Sequence, residues 1–306
     1  RSTDGNGDVL WTKTYGGAGD DWGVSVDETQ DGGYIITGWT ESFGAGQQDV
    51  YLIKTDINGD TMWTKTYGGV ENDYAKSVEQ TPDSGYIIVG ATNSYGAGGI
   101  CFFDPCYDVY VIKTNVLGDT LWTRTFGEVG ADLGETGTRT ADGGYIITGM
   151  AYGLGFGAYD VYLIKIDVNG NLVWAKLYGG SLNDWGYQVR ETDDKGFVII
   201  GETESFGAGA RDLYLIRTDG VGSLMWSKTY GGTGVDAGYS VQQTADMGYV
   251  IGAITENFGG GSWDAYLIKT DTHVFSILEI INTKYFTMIQ TTSLVVVVQL
   301  VKRAKT

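Results

Sequence analysis

The residues of this chain best suited to chemistry are carboxylates that differ between otherwise similar segments. Three of them, Glu128, Asp132 and Glu135, lie close together in the sequence. Two carboxylates about 5 to 10 Å apart across a cleft are required for glycoside hydrolysis. Burial would raise the pKa of one of them and suit it to proton donation. These three are the candidate catalytic residues if the protein is an enzyme, which the sequence leaves uncertain.

Five aromatic residues and one further acid are candidate ligand-binding residues. Trp22 and Trp185 stand at equivalent places in two segments, as do Tyr187 and Tyr239, and Tyr152 lies in an unusual loop. Aromatic faces stack on sugar rings, although packing between neighbouring segments explains the same residues. Glu202 stands where the other segments have uncharged residues, and a surface role is its alternative. The expected partner is therefore a glycan or another small polar ligand.

Several other chemistries are not supported by the sequence. The single His is residue 273, and no Gly-x-Ser-x-Gly motif occurs, so a nucleophilic triad has no candidates. A net charge of −18 disfavours binding to nucleic acid, which needs clustered Lys and Arg. No run of 18 apolar residues predicts a membrane span.

No resident cofactor is expected, with calcium as a minor alternative. The segments 56–60 and 167–171 place oxygen-bearing side chains alternately, as calcium loops do, but lack the distal bidentate Glu. Ordinary Asn-Gly turn chemistry explains them equally well. An Asp that recurs once per segment, Asp132 among the five copies, predicts hydrogen bonding to loop N–H groups rather than a cation site.

A tandem repeat of about 52 residues must position these side chains. It is marked by Trp residues that recur in one motif, typified by Trp-Thr-Lys-Thr-Tyr-Gly-Gly, at Trp11, Trp63, Trp122, Trp174 and Trp226. A period of this length is typical of propellers, and 49 Gly with 2 Pro suit short strands joined by tight turns. We predict one all-β domain over residues 1–272, a five-bladed β-propeller with four antiparallel strands per blade.

Each repeat contains four predicted strands, here called A, B, C and D. In the first repeat they span Trp22–Glu28, Tyr34–Thr40, Val50–Thr55 and Met62–Tyr67. The D–A and B–C loops meet at one end of the blades, the upper face, where propellers usually bind ligands. An unassigned D strand, Val9–Tyr15, is expected to pair with Ala265–Thr270 and so to close the ring.

These motifs, together with Asp-Asp-Trp-Gly-Val-Ser-Val-Asp, Gly-Gly-Tyr-Ile-Ile-Thr-Gly and Asp-Val-Tyr-Leu-Ile-Lys, resemble the SBBP-type β-propeller repeats of bacteria and archaea. The resemblance covers residues 9–271. It implies a secreted, periplasmic or cell-surface setting, and it implies no catalytic motif.

Two segments depart from the repeat. Cys101 and Cys106 lie in a seven-residue insertion, and we predict a local disulfide between them, with free thiols as the alternative. The tail, residues 273–306, lacks Gly and Trp, and is either a packed extension or non-native sequence.

Three functions remain open at this stage. The first is a monomeric extracytoplasmic binding module that holds a glycan or polar ligand at its upper face. The second is a glycoside hydrolase that uses the carboxylates of the central funnel, and the third is a purely structural surface repeat.

Overall fold

The computed structural model describes residues 2–3, 5–97, 106–155 and 157–271. Within those residues the protein is all-β and contains no helix, as the sequence predicts. The chain divides into two units, Arg1–Thr272 and His273–Thr306. The expectations for the second unit fall outside the described residues.

The strands form consecutive antiparallel sheets. Near the start of the chain, the two-stranded sheet contains β1 (Ser2–Thr3) and β2 (Val9–Trp11). The first sheet contains β3 (Asp21–Glu28), β4 (Tyr34–Thr40), β5 (Asp49–Thr55) and β6 (Thr61–Tyr67). The second contains β7 (Asp73–Gln80), β8 (Tyr86–Thr92), β9 (Asp108–Thr114) and β10 (Thr120–Phe126). The third contains β11 (Asp132–Arg139), β12 (Tyr145–Tyr152), β13 (Tyr159–Ile166) and β14 (Leu172–Tyr178). The fourth contains β15 (Asp184–Glu191), β16 (Phe197–Thr203), β17 (Asp212–Thr218) and β18 (Leu224–Tyr230), and the fifth contains β19 (Asp236–Gln243), β20 (Tyr249–Thr255) and β21 (Asp264–Lys269).

The four strands predicted for the first repeat are confirmed to within one residue, and the sheets repeat as a propeller requires. The residue pattern explains the order of the strands in a sheet. β5 is buried along its whole length because it lies between β4 and β6 and packs against β7 of the second sheet, whereas β6 is exposed at its first two residues, along the outer edge. The Val-Tyr-Leu-Ile run of β5 suits a strand buried on both faces.

Hydrophobic clusters join consecutive sheets, and the described residues form four of them. In the first cluster Leu52 of the first sheet packs with Val78 and Ile88 of the second. The other clusters join the second sheet to the third, the third to the fourth and the fourth to the fifth. Each sheet is therefore held by its neighbours, which is the energetic basis of a repeat protein.

Every A strand carries a β-bulge at the same place. The register with the B strand shifts across one residue, between Gly23 and Ser25 in the first sheet and at the equivalent place in the other four. The bulged residues are Val24, Lys76, Glu135, Tyr187 and Tyr239. A bulge turns its side chain out of the regular alternation of the strand. A position that varies strongly among the repeats is thus one that the backbone singles out.

The recurring Asp at the start of each A strand holds the D–A loop, as the sequence predicts. The N–H groups of Gly17, Gly69 and Glu128 donate to Asp21, Asp73 and Asp132, at 2.7, 2.8 and 3.0 Å. The fourth and fifth sheets repeat the contact at 2.8 and 2.9 Å. These carboxylates accept hydrogen bonds from the backbone of the repeat itself.

A cation at the end of each C strand, buried in the first four sheets and exposed in the fifth, holds the A–B turn at the opposite, lower end of the sheets. Lys54 Nζ lies 3.0 Å from the Asp31 carboxylate and 2.7 Å from the carbonyl oxygen of Thr55. Lys113, Lys165, Arg217 and Lys269 pair in the same way with Asp83, Asp142, Asp194 and Asp246. Each ion pair ties two strands of one sheet together.

These ion pairs predict an acid-sensitive fold. Hydrogen bonds from Thr29 and Lys54 lower the pKa of Asp31 to about 2, and those from Thr140 and Lys165 outweigh burial and lower the pKa of Asp142 to about 2. Because the folded-state pKa lies below the unfolded value of about 3.9, this stabilisation is present above about pH 4 and is lost towards pH 2. Asp132 has the opposite effect on stability. Burial raises its pKa to about 6, so its contribution to stability grows as the pH falls from 7 to 5.

We therefore expect the melting temperature to rise slightly from pH 7 to about pH 5 and to fall between about pH 4 and pH 2. Calorimetry across this range measures it. Asp142→Asn should lower the melting temperature at pH 7 and flatten the acid transition, and each pair contributes modestly because its Asp is exposed. A melting temperature that stays constant down to pH 2 would contradict the assignment.

The two ends of the array of sheets do not meet through hydrogen bonds in the described residues. β2 pairs with β1, and β21 pairs with β20 alone, so the predicted pairing of Val9–Tyr15 with Ala265–Thr270 is not observed. The faces that closure would cover are apolar and open: Val26 of β3 is 63% exposed, and Leu267 of β21 is 74% exposed. The equivalent residues of the inner interfaces, Val241 and Leu215, are almost fully buried.

Candidate functional site

The bulged residues of neighbouring A strands contact one another across the sheets. Lys76 Nζ of the second sheet lies 3.5 Å from Glu135 Oε1 of the third. The ring of Tyr187 in the fourth sheet stacks on that of Tyr239 in the fifth, with centroids 5.1 Å apart and planes at 16°. The bulges therefore assemble one ion pair and one aromatic stack from four separate sheets.

Glu135 is largely enclosed, with 17% of its side chain exposed. Burial raises its pKa, and the nearby Lys76 opposes that rise. Asp132 and Glu128, which lie near Glu135 in the sequence, do not contribute to this shift, and the charged group beside Glu135 is a cation. Lys76 also lies over the ring of Tyr74, at 5.8 Å from its centroid.

Glu202 lies at the centre of a hydrogen-bonded network in the fourth sheet. It is buried, and it accepts hydrogen bonds from Tyr187 Oη at 2.8 Å and from Arg211 Nη1 at 3.1 Å. Arg211 Nε donates to Glu204 Oε1 at 3.2 Å, and the guanidinium lies 4.9 Å from the centroid of Trp185. The network fixes the hydroxyl end of the Tyr187 ring.

Tyr187 connects the two groups of charges. Burial raises the pKa of Tyr187, and the charges of Glu202 and Glu135 raise it further. Both carboxylates therefore lie within electrostatic reach of one phenol. Glu135, Trp185, Tyr187, Glu202 and Tyr239, each singled out from the sequence, thus form one constellation with Lys76 and Arg211, here called the bulge site.

The other candidate residues lie elsewhere. Asp132 is fully buried and accepts the N–H of Glu128, whose side chain is exposed. The charges of Asp132 and Glu128 act on Tyr162 rather than on Tyr187. Neither acid takes part in the ion pair, hydrogen bonds or ring stack of the bulge site.

Trp22 and Tyr152 form aromatic pairs of their own. Trp22 is 60% exposed and stacks on Trp39 within the first sheet, with ring centroids 5.6 Å apart. Tyr152, also exposed, meets Tyr159 edge to face at 5.1 Å within the third sheet. Neither contact involves a residue of the bulge site.

Arg211, Glu204 and the role of Lys76 were missed in the sequence. One signal was available for Arg211: it immediately precedes the Asp of the C strand, where the other repeats have Gln48, Tyr107, Tyr159 and Trp263. A lone cation in a set of uncharged residues could have been paired with the lone acid at Glu202.

The structure describes the candidate calcium segments and one of the two cysteines. Over the described ranges, no group of three or more His, Cys, Asp or Glu side chains could hold a metal ion. Asp56 Oδ1 accepts the N–H groups of Asn58 and Asp60, which is turn chemistry. Cys106 is disulfide-bonded, and Cys101 lies outside the described residues, so their pairing stays a prediction.

Comparison with known proteins gives distant structural likenesses. No family model and no curated protein matches the chain. It is similar to an endo-arabinase from Bacteroides thetaiotaomicron VPI-5482, at 10% identity and a TM-score of 0.41, over 80% of this chain and 90% of the other. It is also similar to a protein from Bifidobacterium bifidum s17 described as an exo-beta-1,3-galactanase, at 15% identity and a TM-score of 0.42, over 90% and 96% of the two chains.

A third similar structure is Sqt1 from Chaetomium thermophilum, at 10% identity and a TM-score of 0.39, over 76% and 68% of the two chains. At these TM-scores the likenesses carry no argument about ring closure or activity. The part of the chain that the structure describes contains no helix able to cross a membrane.

Proposed function

We propose that this protein is an extracytoplasmic binding module that holds a glycan at the bulge site. The observation that carries the proposal is the Tyr187–Tyr239 stack, whose outer member, Tyr239, is 50% exposed. The hydroxyl group of Tyr187 donates a hydrogen bond to Glu202, which holds the ring in place and makes the stack a rigid platform. A preorganised aromatic surface loses little entropy when it binds a ligand.

The groups around the platform supply the polar half of carbohydrate recognition. A pyranose ring has an apolar face that packs on an aromatic ring and hydroxyl groups along its edge. Glu135 and Glu204 are partly exposed and have carboxylate oxygens that accept such hydroxyls, and Lys76 has N–H donors. The site thus combines an apolar platform with a few oriented polar groups, as small-molecule sites do.

A glycan array probed with the labelled protein, followed by calorimetric titration of the glycans retained, tests the proposal. We expect saturable binding of at least one glycan class, with a dissociation constant in the micromolar to millimolar range. A folded protein that retains no glycan would overturn the proposal and leave the purely structural repeat as the better account.

Glycoside hydrolysis is the second candidate, favoured by one observation. The charges of Glu135 and Glu202 both raise the pKa of Tyr187, and burial raises the pKa of Glu135. A protonated Glu135 could donate a proton to a leaving oxygen. Chromogenic glycosides, assayed with the wild type and with Glu135→Gln, decide between binding alone and hydrolysis. Turnover that survives Glu135→Gln would exclude this mechanism.

We also propose that the five sheets are five blades of one ring, closed by the segment 9–15. In the four complete sheets the C and D strands share one register, in which Lys54, Lys113, Lys165 and Arg217 pair with Trp63, Trp122, Trp174 and Trp226. The same register in the fifth blade would pair Lys269 with Trp11 and Leu267 with Lys13. The exposed faces around Val26 and Leu267 would then form the fifth cluster.

Disulfide cross-linking tests the ring and its register together. In Lys13→Cys/Leu267→Cys and Thr14→Cys/Tyr266→Cys, the paired residues would face each other, and successive pairs alternate between the wide and narrow spacing. We expect at least one pair to cross-link within a monomer, whereas the off-register control Thr14→Cys/Leu267→Cys should not. Cross-links between chains would contradict the closed monomer and indicate strand exchange between copies.

The cellular setting and the kinship with SBBP-type repeats remain proposals. The disulfide at Cys106 supports an extracellular, periplasmic or cell-surface location, because disulfides persist in oxidising compartments. Mass spectrometry after alkylation of protein exported in its own host tests this. Two alkylated thiols would contradict the proposed location.

A further inference from the structure

The charges of the bulge site neutralise one another almost completely. Lys76 pairs with Glu135 at 3.5 Å, and Arg211 pairs with both Glu202 and Glu204, at 3.1 and 3.2 Å. The remaining carboxylate oxygen of Glu204 accepts the side-chain amide of Asn183 at 2.8 Å. Three carboxylates thus surround two cations, and each cation is already engaged.

Both cations also lie over aromatic faces, and each keeps part of its side chain exposed. Arg211 lies over the ring of Trp185, and Lys76 lies over that of Tyr74. Tyr74 is covered further by Tyr107, with ring centroids 5.2 Å apart. Tyr239 is therefore the aromatic residue of the bulge site with the largest open surface.

We infer that the bulge site selects uncharged glycans and rejects acidic ones. The inference rests on the proposed function and narrows its ligand class. A uronate or sialate carboxylate would have to displace Glu135 from Lys76 or Glu202 from Arg211, which would leave a protein carboxylate enclosed without its partner. The net charge of −18 on the whole chain adds long-range repulsion.

A neutral hydroxyl group meets no such penalty. It can donate to a carboxylate oxygen while the ion pair stays intact, because a carboxylate accepts several hydrogen bonds. Specificity then arises from the cost of breaking pairs that are present before the ligand arrives, which is discrimination against the wrong partner.

A charge-release variant tests the inference on the full chain. Glu135→Gln removes the carboxylate from Lys76 and frees a cation beside the platform. The probes are neutral oligosaccharides of glucose, galactose and arabinose, oligogalacturonate, and chitosan oligomers as cationic glycans. Glu71→Gln, an exposed change in the D–A loop of the second sheet, is the control for the loss of one negative charge.

We expect the wild type to bind a neutral oligosaccharide and to bind oligogalacturonate at least tenfold more weakly. Glu135→Gln should gain tenfold or more in affinity for oligogalacturonate, and salt at about 0.5 M should abolish that gain. Glu71→Gln should behave as the wild type.

Three outcomes would overturn the inference while leaving glycan binding in place. The first is a wild type that binds oligogalacturonate more tightly than neutral oligosaccharides. The second is a wild type that, at high salt, binds chitosan oligomers more tightly than neutral oligosaccharides. The third is a Glu135→Gln variant that gains no affinity for oligogalacturonate. Absence of binding to every glycan would overturn the proposed function itself, and this inference with it.

Discussion

Replacement of Tyr239 by alanine is expected to weaken glycan binding about thirtyfold or more while the melting temperature changes little. Residues that form the rigid aromatic centre of a binding site lose about 2 kcal/mol or more on truncation, which corresponds to about thirtyfold in the dissociation constant. Tyr239 is half exposed, so its truncation removes little from the core. Calorimetric titration and thermal melting of the same preparation measure the two effects.

Two further variants separate stacking from general effects. Tyr239→Phe keeps the ring and should bind within about threefold of the wild type, a difference below about 0.7 kcal/mol. Tyr95→Ala removes an equally exposed tyrosine from the B–C loop of the second sheet, outside the bulge site, and should leave binding unchanged. If Tyr239→Ala and Tyr95→Ala have the same effect, the stacked pair is not the platform.

The strands and their order could be predicted from the sequence because each repeat supplies its own evidence. Five copies of the C-strand pattern identify a strand that is buried on both faces. The bulge could not be predicted, because Val24, Lys76, Glu135, Tyr187 and Tyr239 belong to four different residue types and carry no common signal. It became visible only in the registers of the A and B strands.

The sequence singled out individual residues of the bulge site but not the contacts between them. Glu135, Tyr187 and Tyr239 were chosen because they vary where the repeats are otherwise alike. Their partners depend on which side chains of adjacent sheets meet. The repeat pattern in the sequence does not contain the distances between those side chains. The sequence therefore does not single out Lys76, the partner of Glu135 in the structure.

The segment 9–15 makes contacts with the first sheet that repeat those of β6 with the second sheet. Trp11 packs edge to face on Tyr34 at 5.8 Å, as Trp63 packs on Tyr86 at 5.9 Å between the first and second sheets. Tyr15 Oη donates to the carbonyl oxygen of Gly59 at 2.8 Å, and the equivalent bond from Tyr67 to Gly118 measures 2.6 Å. The segment 9–15 thus packs against the first sheet in the way that β6 packs against the second. β21, in contrast, has no D strand beside it in the described residues.

Deletion of residues 1–16 is expected to lower the stability more than any other change considered. It removes Trp11 from Tyr34, the 2.6 Å ion pair between Lys13 and Asp60, and the strand proposed to complete the fifth blade. Loss of a buried Trp alone costs about 3–5 kcal/mol, and Trp11 is partly buried, so we expect a fall in melting temperature of roughly 5 to 10 °C. Thermal melting and hydrogen exchange at residues 264–269 measure the effect.

Deletion of residues 1–8 is the matched control, because it removes β1 but keeps Trp11, Lys13 and Tyr15. This shorter deletion should melt within about 2 °C of the parent, since Val9 and Leu10 beside it are exposed already. Exchange at residues 264–269 should accelerate in the longer deletion alone, because that edge strand would lose its proposed partner. A 1–16 deletion that melts and exchanges like the parent would show that the segment does not close the fifth blade.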